Sequence, residues 1–153
     1  MISIADIIRH DNYYVRSFAE EEQRAYGLLY HCRGNPRSHD SNHALILNLD
    51  GDLEAAIADV IAFYRELGVS PRVYHGFVPG SAEKLLPKLL AQGFKMEIFD
   101  EDYFVCSEPS VIKPAPGVEV RRVRALDAAI LDIFKGDGEW SVGVIERQLR
   151  RDE

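Results

Sequence analysis

The sequence predicts an α/β (α+β) domain with a mixed, mostly antiparallel sheet flanked by helices. Three observations lead there. Residues 43–67 read as a short apolar strand, a tight acidic turn (Asp50, Gly51, Asp52) and a long amphipathic helix. That strand–turn–helix unit is the building block of many ligand-binding α/β folds. Several other short apolar runs are separated by turn formers, as strands are. A second stretch, residues 81–92, repeats the helical spacing.

In chain order, residues 2–10 place Ile2, Ile4, Ala5, Ile7 and Ile8 at helical spacing, with Ser3 at the capping position. Asp11 and Asn12 are expected to end that helix. Residues 13–18 then read as a strand and 19–23 as a polar turn. Residues 24–33 are rich in aromatic and aliphatic side chains and read as a strand. Residues 34–42 are nearly all turn formers and read as a loop. Residues 43–49 form the next strand, apolar enough for burial on both faces. The two strands are expected to be antiparallel neighbours.

In the central helix Leu53, Ala56, Ile57, Val60, Ile61, Phe63, Tyr64 and Leu67 make one apolar face. Gly68 stands where a left-handed residue closes a helix. Residues 72–78 read as a strand and Pro79-Gly80 as a turn. Ser81 is expected to cap a helix that carries Leu85, Leu86, Leu89 and Leu90. Pro87 must kink that helix or move its start. Residues 94–99 and 103–107 make a hairpin pattern. Residues 108–117 hold three of the seven prolines and read as a linker. The division is therefore residues 1–108, a linker at 109–117, and a strand–helix–helix piece at 118–153. That piece either packs on the same sheet or completes a partner's sheet by exchange.

Composition excludes some function classes. The 153 residues carry a net charge of −7. This opposes non-specific nucleic-acid binding and adsorption to anionic lipid, both of which need a basic face. No apolar run approaches the ~20 residues that span a bilayer. The N-terminus has no signal-peptide pattern, and Cys32 and Cys106 form neither a disulfide framework nor a zinc spacing. A cytoplasmic protein is expected, with no membrane and no nucleic-acid partner.

The segment Val118-Glu119-Val120-Arg121-Arg122-Val123, followed by Leu126-Asp127 and then by Trp140-Ser141 and Ile145-Glu146, resembles the opening of a GNAT-type N-acetyltransferase domain. The stretch from Asn35-Pro36 through Asp40-Ser41-Asn42-His43 to Gly93-Phe94 is similar to the region before such a domain in some bacterial members. It also has the element order of the second half of that fold: hairpin, helix, strand, helix, strands. The resemblance implies a GNAT-like fold, permuted or incomplete, and transfer of an acetyl group from acetyl-CoA to a small-molecule amine. A homodimer is compatible with it.

The family holds acetyl-CoA in a Gln/Arg-x-x-Gly-x-Gly/Ala loop before a helix, whose N–H groups receive the pyrophosphate. This chain has no such loop. Asp50-Gly51-Asp52 stands in the equivalent place, and its carboxylates repel a pyrophosphate. Acetyl-CoA thus follows from the resemblance alone, no catalytic base can be named, and the chain by itself is expected to be inactive. The alternative is a non-catalytic small-molecule-binding or dimerisation module with a GNAT-like fold.

Candidate site residues are few. Asp40 and Asn42 stand at a strand mouth, His75 on a strand, and Trp140 after a glycine-rich break. Together His31, His39, His43 and His75 could meet if the early strands and the 72–78 strand are adjacent. None has a trusted ligand spacing, so no metal is expected. Loop composition alone explains His39, an Asx turn explains Asp40-Ser41-Asn42, and core packing explains Trp140. Glu20-Glu21-Glu22 reads as a solvated turn. Ser38, Ser41 and Ser81 lack a nucleophile elbow.

Overall fold

The structure, a computed structural model, describes residues 3–74, 76–98 and 115–119. Its elements are α1 (Ile4–Arg16), β1 (Glu20–Arg24), β2 (Gly27–His31), β3 (His43–Ile46), α2 (Leu53–Glu66), β4 (Val73–Tyr74), α3 (Ser81–Lys84) and α4 (Leu86–Ala91). The four strands lie in the order β1-β2-β3-β4. The pairs β1–β2 and β2–β3 are antiparallel, and β3–β4 is parallel across the α2 crossover. This is the mixed, mostly antiparallel sheet with helices that the residue pattern predicts.

Helix α1 starts as read. The Ser3 hydroxyl accepts from the Asp6 N–H, and the Asp6 carboxylate accepts from the Ser3 N–H, a reciprocal capping box. It does not stop at Asp11. The expected strand at 13–18 is helical through Arg16. Asp and Asn cost only a few tenths of a kcal/mol inside a helix. The helical spacing of Ile8, Asp11, Val15 and Phe18 carries the turn through them. Phe18 is buried, and Tyr14 meets it edge-on four residues back, with ring centroids 5.0 Å apart.

The expected turn at 19–23 is strand β1 instead. Composition disfavours Glu20-Glu21-Glu22-Gln23 as a strand, but partners on both faces outweigh propensity. Glu21 binds Arg16 at 2.6 Å on the α1 side. Arg24 reaches Asp59 of α2 at 3.1 Å on the other side. Tyr26, in the hairpin turn, donates its hydroxyl to the same Asp59 carboxylate at 2.6 Å.

The sheet separates two clusters by strand parity. Leu29 of β2 with Ala44 and Ile46 of β3 faces α2, where Leu53, Ala56, Ile57, Val60 and Tyr64 close the main core; Leu85 and Leu89 join it. Tyr30, Cys32 and Leu45 face the other way, against Phe18 and Ala19, with Val15 and Tyr74 packed beside them. The Tyr64 hydroxyl donates to the Tyr30 carbonyl at 2.8 Å, so α2 is tied to β2 through the core.

Helix α2 has Asp52 as its cap, accepting from the Ala55 N–H at 3.0 Å. Gly68 closes it at φ 69°, as its position predicts. The expected strand at 72–78 shrinks to Val73–Tyr74. Phe77, at φ 53°, leaves the extended backbone. Ser81 is not a cap but the first helical residue, after Gly80 at φ 82°. Pro87 splits the expected helix: the chain breaks at Leu85 and α4 restarts with Pro87 in its first turn. Residues 94–98 form no ladder with described residues. The strand partner expected for them, 103–107, lies outside the described residues, as do most of the linker and all of the strand–helix–helix piece beyond Glu119.

Gly27 opens β2 with φ 156°, and a Cβ there would stand 1.9 Å from the Leu45 carbonyl oxygen of β3. Backbone, not a flexible side chain, is in the way. Gly27→Ala should therefore destabilise by on the order of 3–4 kcal/mol and lower Tm by roughly 10 °C. Gly34→Ala, with nothing within 4 Å of the added methyl, should stay within about 0.5 kcal/mol. Equal Tm values for the two variants in a thermal melt would contradict the tight β2–β3 approach.

Candidate functional site

Two places could hold a ligand. The first is the turn where β3 hands over to α2, at the carboxyl ends of the parallel pair, where open α/β sheets bind ligands. After Leu45 the chain leaves β4: the Leu47 and Asn48 N–H groups both donate to the Tyr26 carbonyl, at 2.8 and 3.0 Å. Yet the strand ends stay close. The Leu47 Cδ2 methyl lies 2.7 Å from where a Cβ on Gly76 would stand.

The turn is acidic and zipped shut. Asp50 pairs with Lys84 of α3 at 2.8 Å, and Glu54 with Lys88 of α4. The hydrogen bond from Lys84 holds the Asp50 carboxyl below the usual carboxylate range, and that from Lys88 does the same for Glu54. At the α2 N-terminus the Ala55 amide already serves the Asp52 carboxylate. A helix start of this kind has filled its anion position with its own side chain.

The second place is the mouth of β3. Asn42 is buried and makes three hydrogen bonds. Its Oδ1 accepts from the Cys32 N–H at 3.0 Å, and its Nδ2 donates to the carbonyls of Asn35 (2.8 Å) and Ser38 (2.7 Å). This side chain locks the 34–42 loop onto β2. Its role is structural: both Nδ2 hydrogens and the Oδ1 are engaged by the chain's own backbone. Beside it the Ser38 hydroxyl accepts from the Ser41 N–H at 3.2 Å.

The lock fixes Asp40 and His43. The Asp40 carbonyl lies 3.0 Å from His43 Nδ1, which donates as N–H in the neutral ring. The His43 ring stacks on Tyr74 with centroids 4.2 Å apart and planes 13° from parallel. Tyr30 tilts against its neighbourhood at 5.1 Å. The ring is 3% exposed, and burial pushes its pKa down to about 4 against 6.5 for a free imidazole. The Tyr74 hydroxyl donates to the exposed Asp40 carboxylate at 3.2 Å. Burial, and then the Asp40 charge, raise the pKa of the Tyr14 hydroxyl.

The sequence singles out Asp40, Asn42, His75 and Trp140. The structure brings Asp40 and Asn42 together through the loop. His75 and Trp140 lie outside the described residues. Tyr74, which bonds Asp40, is not singled out by the sequence; its place on a strand beside His43 is the signal it offers. His31 and His43, which could meet across adjacent strands, do not come together. They occupy opposite faces of the sheet, because His31 contacts Phe63 of α2 and His43 lies on the α1 side with Tyr30 and Tyr74. His31 Nε2 is 3.5 Å from Glu22 and 4.0 Å from Glu20, and its Nδ1 is buried without a hydrogen-bond partner. Cys32 is a buried free thiol. Among the described residues no three His, Cys, Asp or Glu side chains are placed to hold a metal ion, and no helix is long and apolar enough to cross a membrane. No protein-family model, curated protein or solved structure matches the chain.

The buried imidazole sets a pH dependence. Folded His43 stays neutral down to about pH 4, whereas the unfolded ring takes its proton near 6.5. Between those values the unfolded state binds more protons. The stability from neutral His43 is complete above pH 6.5 and is lost as pH falls toward 4, by on the order of 2–3 kcal/mol. Asp6, Asp50 and Glu54, whose carboxyls are held low, add their losses only below their ordinary range near 4. In urea melts across pH 4.5–7.5, His43→Gln should flatten the slope. A slope unchanged in that variant would contradict the assignment.

Proposed function

We propose that the chain is a non-catalytic small-molecule-binding module with the element order of half an N-acetyltransferase fold. The order hairpin, strand, helix, parallel strand, broken helix (β1-β2-β3-α2-β4-α3-α4) supports the fold side of this reading. One observation carries the functional side. At the strand–turn–helix junction, where the family receives its pyrophosphate, Asp52 caps the helix and Asp50 and Glu54 are tied to Lys84 and Lys88. An anionic cofactor arriving there meets three carboxylates and a used amide.

Acyl transfer is the second reading, and the same lysines favour it. Lys84 and Lys88 stand at the rim of the turn. A diphosphate that displaced Asp50 and Glu54 would find two ammonium groups ready. Substrate would then be a small-molecule amine and the donor acetyl-CoA.

A thermal-shift titration with acetyl-CoA separates the readings. A ligand at ~100 times its dissociation constant adds about 2.7 kcal/mol, a shift of roughly 5–10 °C at this chain length. The binding-module reading expects no shift at millimolar acetyl-CoA. A saturable shift that is lost when Lys84 and Lys88 are both changed to Gln would replace it with acyl transfer.

A further inference from the structure

The turn between β3 and α2 carries a reactive pair that neither reading of its ligand chemistry uses. Asp50 is followed by Gly51; the chain's other Asp-Gly pair, Asp137–Gly138, lies outside the described residues. The Asp50 side chain is 87% exposed. The Gly51 N–H donates to no described residue. Neither backbone conformation nor space demands a glycine here: Gly51 is not left-handed, and a Cβ on it would meet only the Asn48 Nδ2, at 3.8 Å. Without a Cβ, Gly51 offers no side chain to shield its amide from the carboxyl beside it.

The other described aspartates lack this combination. Asp40 precedes the buried Ser41, whose N–H donates to the Ser38 hydroxyl at 3.2 Å. Asp52 precedes the buried Leu53, the first residue of α2, and turns its carboxylate to the Ala55 N–H. Asp6, Asp11 and Asp59 lie within α1 and α2, where the helix holds the amide that follows each of them.

We propose that Asp50–Gly51 isomerises spontaneously to isoaspartate and that the Lys84 ammonium restrains the reaction. The Gly51 nitrogen attacks the Asp50 Cγ, the Cγ hydroxyl leaves with the amide proton as water, and a succinimide ring closes. Water then opens the ring. Cleavage at Cγ restores aspartate, and cleavage at the main-chain carbonyl carbon leaves the chain running through the side chain. The water lost is returned, so no other reactant is needed. The electrophile is the protonated carboxyl, since an ionised one has no hydroxyl to expel. Lys84 of α3 holds the ionised carboxylate at 2.8 Å and keeps this carboxyl below its usual range. The isoaspartyl link lengthens the β3–α2 connection by a methylene and shortens by the same methylene the arm that reaches Lys84. None of this depends on what the turn binds.

The test ages the 153-residue chain in neutral buffer at physiological temperature. Samples taken over weeks are digested with trypsin, and electron-transfer fragmentation locates isoaspartate within the peptide 38–65. The expected result is isoaspartate that accumulates at position 50 and not at Asp40, Asp52 or Asp59. Lys84→Gln should speed the accumulation severalfold. Lys88→Gln, which loses the neighbouring pair with Glu54, should leave the rate unchanged and so separates the loss of this ammonium from a general loosening of the turn. Gly51→Ala, for which the turn has room, should slow the reaction severalfold. Asp50→Glu keeps a carboxylate for Lys84 but must close a larger ring, and should abolish the signal at position 50. No isoaspartate at position 50 in the Lys84→Gln chain, equal rates with and without Lys84, or equal acceleration by Lys88→Gln would each overturn the proposal.

Discussion

Strand β3 is the constraint on which the rest of the structure depends. Its four residues are buried, Ala44 and Ile46 against α2, His43 and Leu45 on the opposite face. It pairs antiparallel to β2 and parallel to β4. Each fully buried aliphatic side chain of this size contributes about 1.5–3 kcal/mol, and a slip of one residue would exchange the two faces. Register is therefore set by burial on both sides. Once β3 is set, both candidate ligand sites are set too, since the Asp40 loop enters it and the acidic turn leaves it.

The two ends of β3 are built by opposite electrostatic strategies. At the exit, every carboxylate is used: Asp52 caps α2, and Asp50 and Glu54 hold the broken helix through lysines. These pairs are exposed and each is worth little alone. Their consequence is local charge saturation at a place where many α/β folds receive phosphate. At the entrance, Asn42 and His43 satisfy the backbone from inside, while Asp40 keeps its charge in solvent. Buried polar groups that are fully bonded rigidify their surroundings. The entrance is consequently held in place from inside by the loop's own bonds.

Much of this was legible in the residues. Strand β3, helix α2, the Gly68 stop, the break at Pro87, the 34–42 loop and the β2–β3 pairing follow from periodicity and turn chemistry. Two neighbouring stretches did not follow. Tyr13, Tyr14 and Val15 have strand-forming side chains, yet the helix begun at the Ser3 capping box runs on because Val15 and Phe18 complete its buried stripe. Glu20-Glu21-Glu22 has turn-like polarity, yet Arg16 and the hairpin partner β2 hold it extended. In both stretches local preference is overruled by packing against the sheet and by strand pairing. The site shows the same limit. Asp40 and Asn42 stand out in sequence because they flank a strand. Tyr74 joins Asp40 from 34 positions further along the chain, and the parallel placement of β4 brings it there.

The central claim, that this chain binds without catalysing, is tested most directly by acetyl-CoA turnover. Free CoA thiol would be followed over hours with the 153-residue chain, saturating acetyl-CoA and a panel of primary amines. The account predicts release at the protein-free rate for every amine. Amine-dependent release that scales with protein concentration, and is lost when Lys84 and Lys88 are replaced, would contradict it.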